Sequence, residues 1–226
     1  MKKRILLAVA AIIIGLLLIF SPGLLLLYRL QTYVTTSAEA SQVDAGAWPR
    51  LTDTCIGCHG VRGSSLNQGY PSLAGQPAQY VSAQLRNFAG GQRVNATMGP
   101  LAMTLSEADV RSLSAYYSRQ TPIENRFFEP DPQLLARGAQ LVKAGSCAAC
   151  HGARLMGHDQ FPRLAGQGYD YILRQFDAFA TGARSDGSGA MKSIAEAMSP
   201  GDRKAISTYL ASLNPEKEQG TRRQRH

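Results

Sequence analysis

The sequence predicts an all-α chain: one N-terminal transmembrane helix followed by two tandem copies of a small helical domain. Three observations carry this expectation. An apolar run extends from Ile5 to Leu27, the region after residue 50 repeats itself, and apolar side chains recur at helical spacing while no strand alternation appears.

The N-terminal element comes first. Lys2, Lys3 and Arg4 precede the apolar run, which is broken only by Ser21, Pro22 and Gly23. As a helix it spans roughly 34 Å, against a hydrocarbon core of about 30 Å. The basic cluster before it, with only Arg29 soon after, predicts a cytoplasmic N-terminus and everything downstream on the outer side of a bacterial inner membrane, in the periplasm. Ala38-Glu39-Ala40 resembles a signal-peptidase site, the competing interpretation. It lies more than ten residues past Leu27, however, and the run exceeds the usual signal length of about 7 to 15 residues. A buried core helix would leave the basic cluster and the unbroken apolar circumference unexplained.

The repeat sets the architecture downstream. Cys55-Ile56-Gly57-Cys58-His59-Gly60 returns as Cys147-Ala148-Ala149-Cys150-His151-Gly152, and Leu73-Ala74-Gly75-Gln76 returns as Leu164-Ala165-Gly166-Gln167. Tyr80, Phe88 and Gly91 match Tyr171, Phe179 and Gly182, and Ser106-x-x-Asp109 matches Ser199-x-x-Asp202. The expected division is 1–38 for the N-terminus, anchor and linker, 39–125 and 126–214 for the two domains, and 215–226 for a basic disordered tail. The connection falls between Gln120 and Gln133, where Pro122, Pro130 and Pro132 oppose helical continuation.

Within each copy, Tyr80, Val81, Leu85 and Phe88 share one helical face, as do Tyr171, Ile172, Phe176 and Phe179. The last helix of each copy opens on a capping-box-like signal at Ser106 and Ser199.

The net charge of +8 invites a nucleic-acid interpretation that its distribution excludes. Residues 1–38 hold four basic and no acidic side chains, whereas 39–125 hold six of each and 126–214 hold ten basic and eight acidic. Folded faces near neutrality offer no footprint for phosphate.

All four cysteines fall in two Cys-x-x-Cys-His motifs. That spacing attaches haem: Cys55 and Cys58, like Cys147 and Cys150, become thioethers on the haem vinyl groups, and the adjacent His59 or His151 is held against the iron. A redox dithiol needs no histidine, a zinc site would pair two such units in one domain, and a structural disulfide does not need this spacing.

An electron carrier fills the sixth iron position, and methionine does so while raising the potential. Met98 and Met191 lie 39 and 40 residues after their histidines and both seven residues before Leu105 and Met198, which precede the capping serines. Met103 is the rival in the first copy, but its repeat counterpart is Glu196; Met156 has no partner, and His158 is expected to be a loop residue.

With these motifs the chain resembles the two-domain, two-haem cytochromes of the cytochrome c4 family, within the class I cytochrome c superfamily. The likeness covers about residues 45–214 and includes Pro71-x-Leu73-Ala74-Gly75-Gln76 and Pro162-x-Leu164-Ala165-Gly166-Gln167. It implies two class I cytochrome c folds facing each other, His/Met ligation in each, two covalent haem c groups, and electron delivery towards a terminal oxidase. The expected partners are a quinol-oxidising complex or dehydrogenase as donor, a terminal oxidase as acceptor, and the inner membrane, with no nucleic acid. Family members are often soluble after signal removal, and the long apolar segment departs from that. The expected role is a non-catalytic carrier in a respiratory chain; the alternatives are an electron-transfer subunit of a membrane-bound oxidoreductase, and a peroxidase-like or gas-sensing haem with an open coordination site.

Overall fold

The computed structural model describes residues 2–45 and 50–216. The expected disordered tail falls almost wholly outside the described residues. The chain divides into two compact units, Met1–Arg50 and Leu51–His226.

The first unit is helix α1, Lys2–Ala45, which runs through Pro22 and continues beyond the cleavage-like Ala38-Glu39-Ala40. Its large apolar side chains that are described, from Ile5 to Leu27, are exposed. Among the described residues, no helix is long and apolar enough to cross a membrane. The side chains of residues 6–8, 10–13 and 19 lie outside the described set, and the expected transmembrane span falls in part on them.

The second unit holds both repeats. The first copy runs α2 (Asp53–His59), a 3-10 turn (Val61–Gly63), α3 (Ala78–Ala89), α4 (Met98–Met103) and α5 (Glu107–Arg119). The second runs α6 (Pro132–Ala144), α7 (Ala148–His151), α8 (Tyr169–Ala180), α9 (Ala190–Glu196) and α10 (Pro200–Ser212). No named strand forms among the described residues; His158 and Phe161 make an isolated bridge.

Helix boundaries follow local chemistry. Ser106 Oγ accepts from the Asp109 N–H at 3.2 Å while the Asp109 carboxylate accepts from the Ser106 N–H at 3.0 Å, a reciprocal cap. Ser199 caps α10 through its Oγ, which accepts from the Asp202 N–H at 3.1 Å, with Pro200 in the first turn. Pro132 starts α6 rather than ending a helix: Asp131 accepts from the Gln133 and Leu134 N–H groups, and proline at the first turn lacks only a donor that would be orphaned there.

Helix α10 is the spine of the second copy, packing on α6 and α8. Its Ala205, Ile206, Ser207, Thr208, Leu210 and Ala211 are all buried. Gly138 lets α6 approach it, because a Cβ there would stand 2.0 Å from the Ala205 carbonyl oxygen. The core adds Ile172, Phe176 and Phe179 from α8, as the periodicity predicts.

The two copies meet through reciprocal bonds made by repeat-related residues. Arg93 donates to Gln84 of its own copy at 2.7 Å and reaches across to the Tyr171 hydroxyl at 3.0 Å and Gln175 at 2.9 Å. Arg184 mirrors it, bonding Gln175 at 2.6 Å and reaching Tyr80 at 3.0 Å and Gln84 at 3.1 Å. Tyr80 and Tyr171, expected on a core stripe, thus turn their hydroxyls to the opposite copy. Burial acts to raise both hydroxyls, but they sit together between two guanidinium charges. Those charges carry Tyr171 down to about 8, while Tyr80 is raised, by its burial first and then by the neighbouring Tyr171, whose phenolate disfavours a second beside it.

Candidate functional site

In each copy a short helix ends on the histidine of the Cys-x-x-Cys-His motif and is stopped by a glycine. Gly60 has φ +74° and Gly152 has φ +81°, where an L side chain is strained; at Gly60 a Cβ would also strike the Ser64 carbonyl oxygen at 1.9 Å. This stop turns the chain immediately after the histidine and buries the ring: His59 and His151 are each 7% exposed.

Each ring is fixed through Nδ1, His59 to the Pro71 carbonyl at 2.8 Å and His151 to the Pro162 carbonyl at 2.9 Å. A carbonyl oxygen carries no proton, so Nδ1 donates and Nε2 keeps its lone pair. Burial pushes both imidazoles below their ordinary range, opposed by the same carbonyl bonds, and for His151 His158 adds to the lowering. A neutral, oriented imidazole with free Nε2 is the form that binds a metal.

The four cysteines are free thiols rather than disulfides. Burial raises the Cys55 and Cys147 thiols. Among the described residues no three His, Cys, Asp or Glu side chains converge as a metal cluster, so the zinc alternative lacks a donor set. The donors present in each copy, two thiols and a buried imidazole with Nε2 open, fit haem c.

Met98 and Met191 open matching short helices. Met98 is half-buried at the start of α4, its N–H donating to Asn95 Oδ1 at 2.8 Å. Met191, in the first turn of α9, packs against the second core while its N–H donates to Asp186 Oδ2 at 2.7 Å. Met103 is 71% exposed at the far end of α4. His158 is 49% exposed and pairs with Asp159 at 3.1 Å. Met156 is half-buried against the second core.

The cytochrome c family profile matches residues 49–118 and 135–214, once on each Cys-x-x-Cys-His motif. A thiosulfate dehydrogenase electron acceptor from Thiomonas intermedia (strain K12) is 37% identical over 190 residues, covering 79% of this chain and 88% of the relative. Cytochrome c4 of Thiocapsa roseopersicina is 35% identical over 176 residues, covering 73% of this chain and 90% of the relative. The chain belongs to the dihaem cytochrome c4 family. The crystal structure of reduced recombinant cytochrome c4 from Pseudomonas stutzeri matches it with a TM-score of 0.68 and 29% identity, covering 78% of this chain and 98% of that one.

This dihaem cytochrome c therefore carries two covalently bound haem c groups, one in each copy, and its chemistry is electron transfer. Several residues around the haem sites escaped the sequence reading. Asn95 and Asp186 fix the methionine helices from different offsets, three and five residues upstream, so the repeat does not align them. Gln76 and Gln167 sit in the repeated Leu-Ala-Gly-Gln segments, where burial and cross-copy contacts, invisible in sequence, give them their partners. Arg163, 1% exposed, donates from Nε to the Ala74 carbonyl at 3.1 Å and from Nη2 to the Ser72 carbonyl at 3.3 Å, and also bonds Ala165; its burial carries it down to about 10. The paired Arg93 and Arg184 were legible as a repeat at the same offset as the tyrosines, a signal that the apolar periodicity passes over.

Proposed function

We propose that this dihaem cytochrome c is an electron carrier, one electron per haem, on the periplasmic face of a bacterial inner membrane, held there by its N-terminal segment. Its electrons come from a dehydrogenase or a quinol-oxidising complex and pass to a terminal oxidase or similar acceptor. When bound, each haem supplies a reversible one-electron iron couple.

In this proposal Cys55, Cys58, Cys147 and Cys150 form the thioethers, and His59 with Met98, and His151 with Met191, are the axial pairs. The observation that carries the assignment is the duplicated constellation: an imidazole fixed by Nδ1 to a proline carbonyl, free thiols beside it, and a partly buried methionine at the head of a short helix in the same place in both copies. Two filled iron positions suit transfer rather than substrate binding. The exposed apolar side chains of α1 behind Lys2, Lys3 and Arg4 support attachment to the membrane.

The relative named as a thiosulfate dehydrogenase electron acceptor favours a sulfur-compound dehydrogenase as the donor, and keeps a dedicated subunit role as the second reading. Extraction in mild detergent separates the two. A carrier elutes alone, takes up two electrons in a redox titration and binds no carbon monoxide when reduced; a subunit co-elutes with a catalytic chain. A carbon-monoxide-sensitive high-spin signal would overturn both. Mass spectrometry of the membrane fraction reports the tether: residues 1–40 present and two haem additions are expected, and a mature chain found free in the periplasm without them would remove the membrane from the proposal.

A further inference from the structure

One peptide unit in each copy joins the axial histidine to the opposite copy. The Pro71 carbonyl accepts from His59 Nδ1 at 2.8 Å, and the N–H of the same peptide, on Ser72, donates to Gln167 Oε1 at 2.7 Å. In the other copy the Pro162 carbonyl accepts from His151 Nδ1 at 2.9 Å, and the Arg163 N–H donates to Gln76 Oε1 at 2.9 Å. Both glutamines close a second bond on the same residue, Gln167 Nε2 to the Ser72 carbonyl and Gln76 Nε2 to the Arg163 carbonyl, each at 3.0 Å. Gln76 and Gln167 are each 3% exposed, so these bonds lie in a medium that strengthens them.

We infer that Gln76 and Gln167 are positioning residues that tune the haem of the opposite copy, each through the peptide that holds its axial histidine. The inference rests on His59 and His151 being the iron ligands. A peptide whose N–H is engaged has a more negative carbonyl oxygen, because its resonance moves charge from nitrogen to oxygen. That oxygen pulls harder on the imidazole Nδ1–H, the ring becomes more basic at Nε2, and the ferric state gains over the ferrous. Docking of the two copies therefore lowers both potentials, and each glutamine acts across the interface rather than on its own haem. The arrangement makes the copies report to one another through the Pro71–Ser72 and Pro162–Arg163 peptides.

The test is crossed. In Gln167→Met, close in shape but without the acceptor, the potential of the haem on His59 rises while that on His151 stays nearly constant; Gln76→Met gives the reverse. The expected size is about a two- to fivefold change in the reduced-to-oxidised ratio of the affected haem at fixed solution potential. NMR of the reduced protein gives a second readout, an upfield move of the His59 Nδ1–H signal in Gln167→Met only, and of the His151 signal in Gln76→Met only. Gln167→Glu, which keeps an acceptor, does not raise the potential on His59. Equal shifts of both haems in both variants, or shifts confined to the mutated copy, would mean general loosening and overturn the inference. Loss of a haem signal on replacing His59 or His151 is expected in any case; its absence would instead sink the ligand assignment.

Discussion

Gly138→Ala is the substitution whose cost the structure states most directly. A Cβ at Gly138 would lie 2.0 Å from the Ala205 carbonyl oxygen, 2.7 Å from its carbon and 2.8 Å from Tyr209 Cβ. Contact with a backbone carbonyl cannot be relieved by a rotamer, so α6 and α10 must part by over ~1 Å at the crossing to restore ordinary packing distance. Overpacking of this kind costs about 3 kcal/mol, and the better helix propensity of alanine returns about 1. The net loss of about 2 kcal/mol corresponds to a fall in melting temperature of roughly 4–8 °C for a chain of this size. Gly201→Ala in α10 is the control, since its added Cβ would meet nothing closer than Ser199 Oγ at 3.7 Å. Thermal and guanidinium unfolding of the haem-loaded protein, followed by circular dichroism, measures both. A Gly138→Ala protein as stable as the parent, with Gly201→Ala no better, would refute the close helix crossing and the packing argument with it.

Replacing Met98 or Met191 by alanine is expected to abolish the sulfur-to-iron charge-transfer band of one haem each and to open that haem to carbon monoxide, whereas Met103→Leu leaves both spectra unchanged; loss of the band in Met103→Leu would reassign the ligand. Asn95→Ala strips two N–H groups, of Thr97 and Met98, of their acceptor and should cost about 1 kcal/mol, seen as an earlier loss of the first band in denaturant. Burial holds the Asp186 carboxyl up, but bonds from the Met191 and Gly189 N–H groups outweigh it and set the group below its ordinary range. Its support for Met191 is therefore full above the unfolded value and fades in acid as pH falls through the lower folded value, a fading that Asp186→Asn should remove from the pH dependence of the second band. Tyr171, at about 8 against an unfolded value near 10, releases its proton earlier in the native state, so stability should rise between pH 8 and 10. A Tyr171→Phe protein that keeps the same rise would show that another group titrates there.

The sequence by itself determined the chemistry and the duplication. Cys-x-x-Cys-His is a covalent instruction whose meaning lies in adjacent residues, and a repeat is visible without coordinates. Helix starts at Ser106 and Ser199 were equally legible, because a cap is satisfied within four residues of chain. The break between the copies was legible from its prolines, and only the bonds to the flanking Asp131 show that Pro132 already stands in the first turn of α6. The choice between Met98 and Met103 had support from the repeat, and burial then separated a half-buried residue from an exposed one.

Tertiary structure alone decided the interface. Arg93 and Arg184, the tyrosines they reach, and the glutamines that bracket Ser72 and Arg163 find their partners 78 to 104 residues away. Side-chain periodicity reports which face of a helix is apolar, and it carries no information on which distant donor will meet a polar group once that face is buried. The proline carbonyls that hold His59 and His151 belong to the same class: a backbone oxygen has no residue identity to read, and its role appears only when folding brings the ring to it.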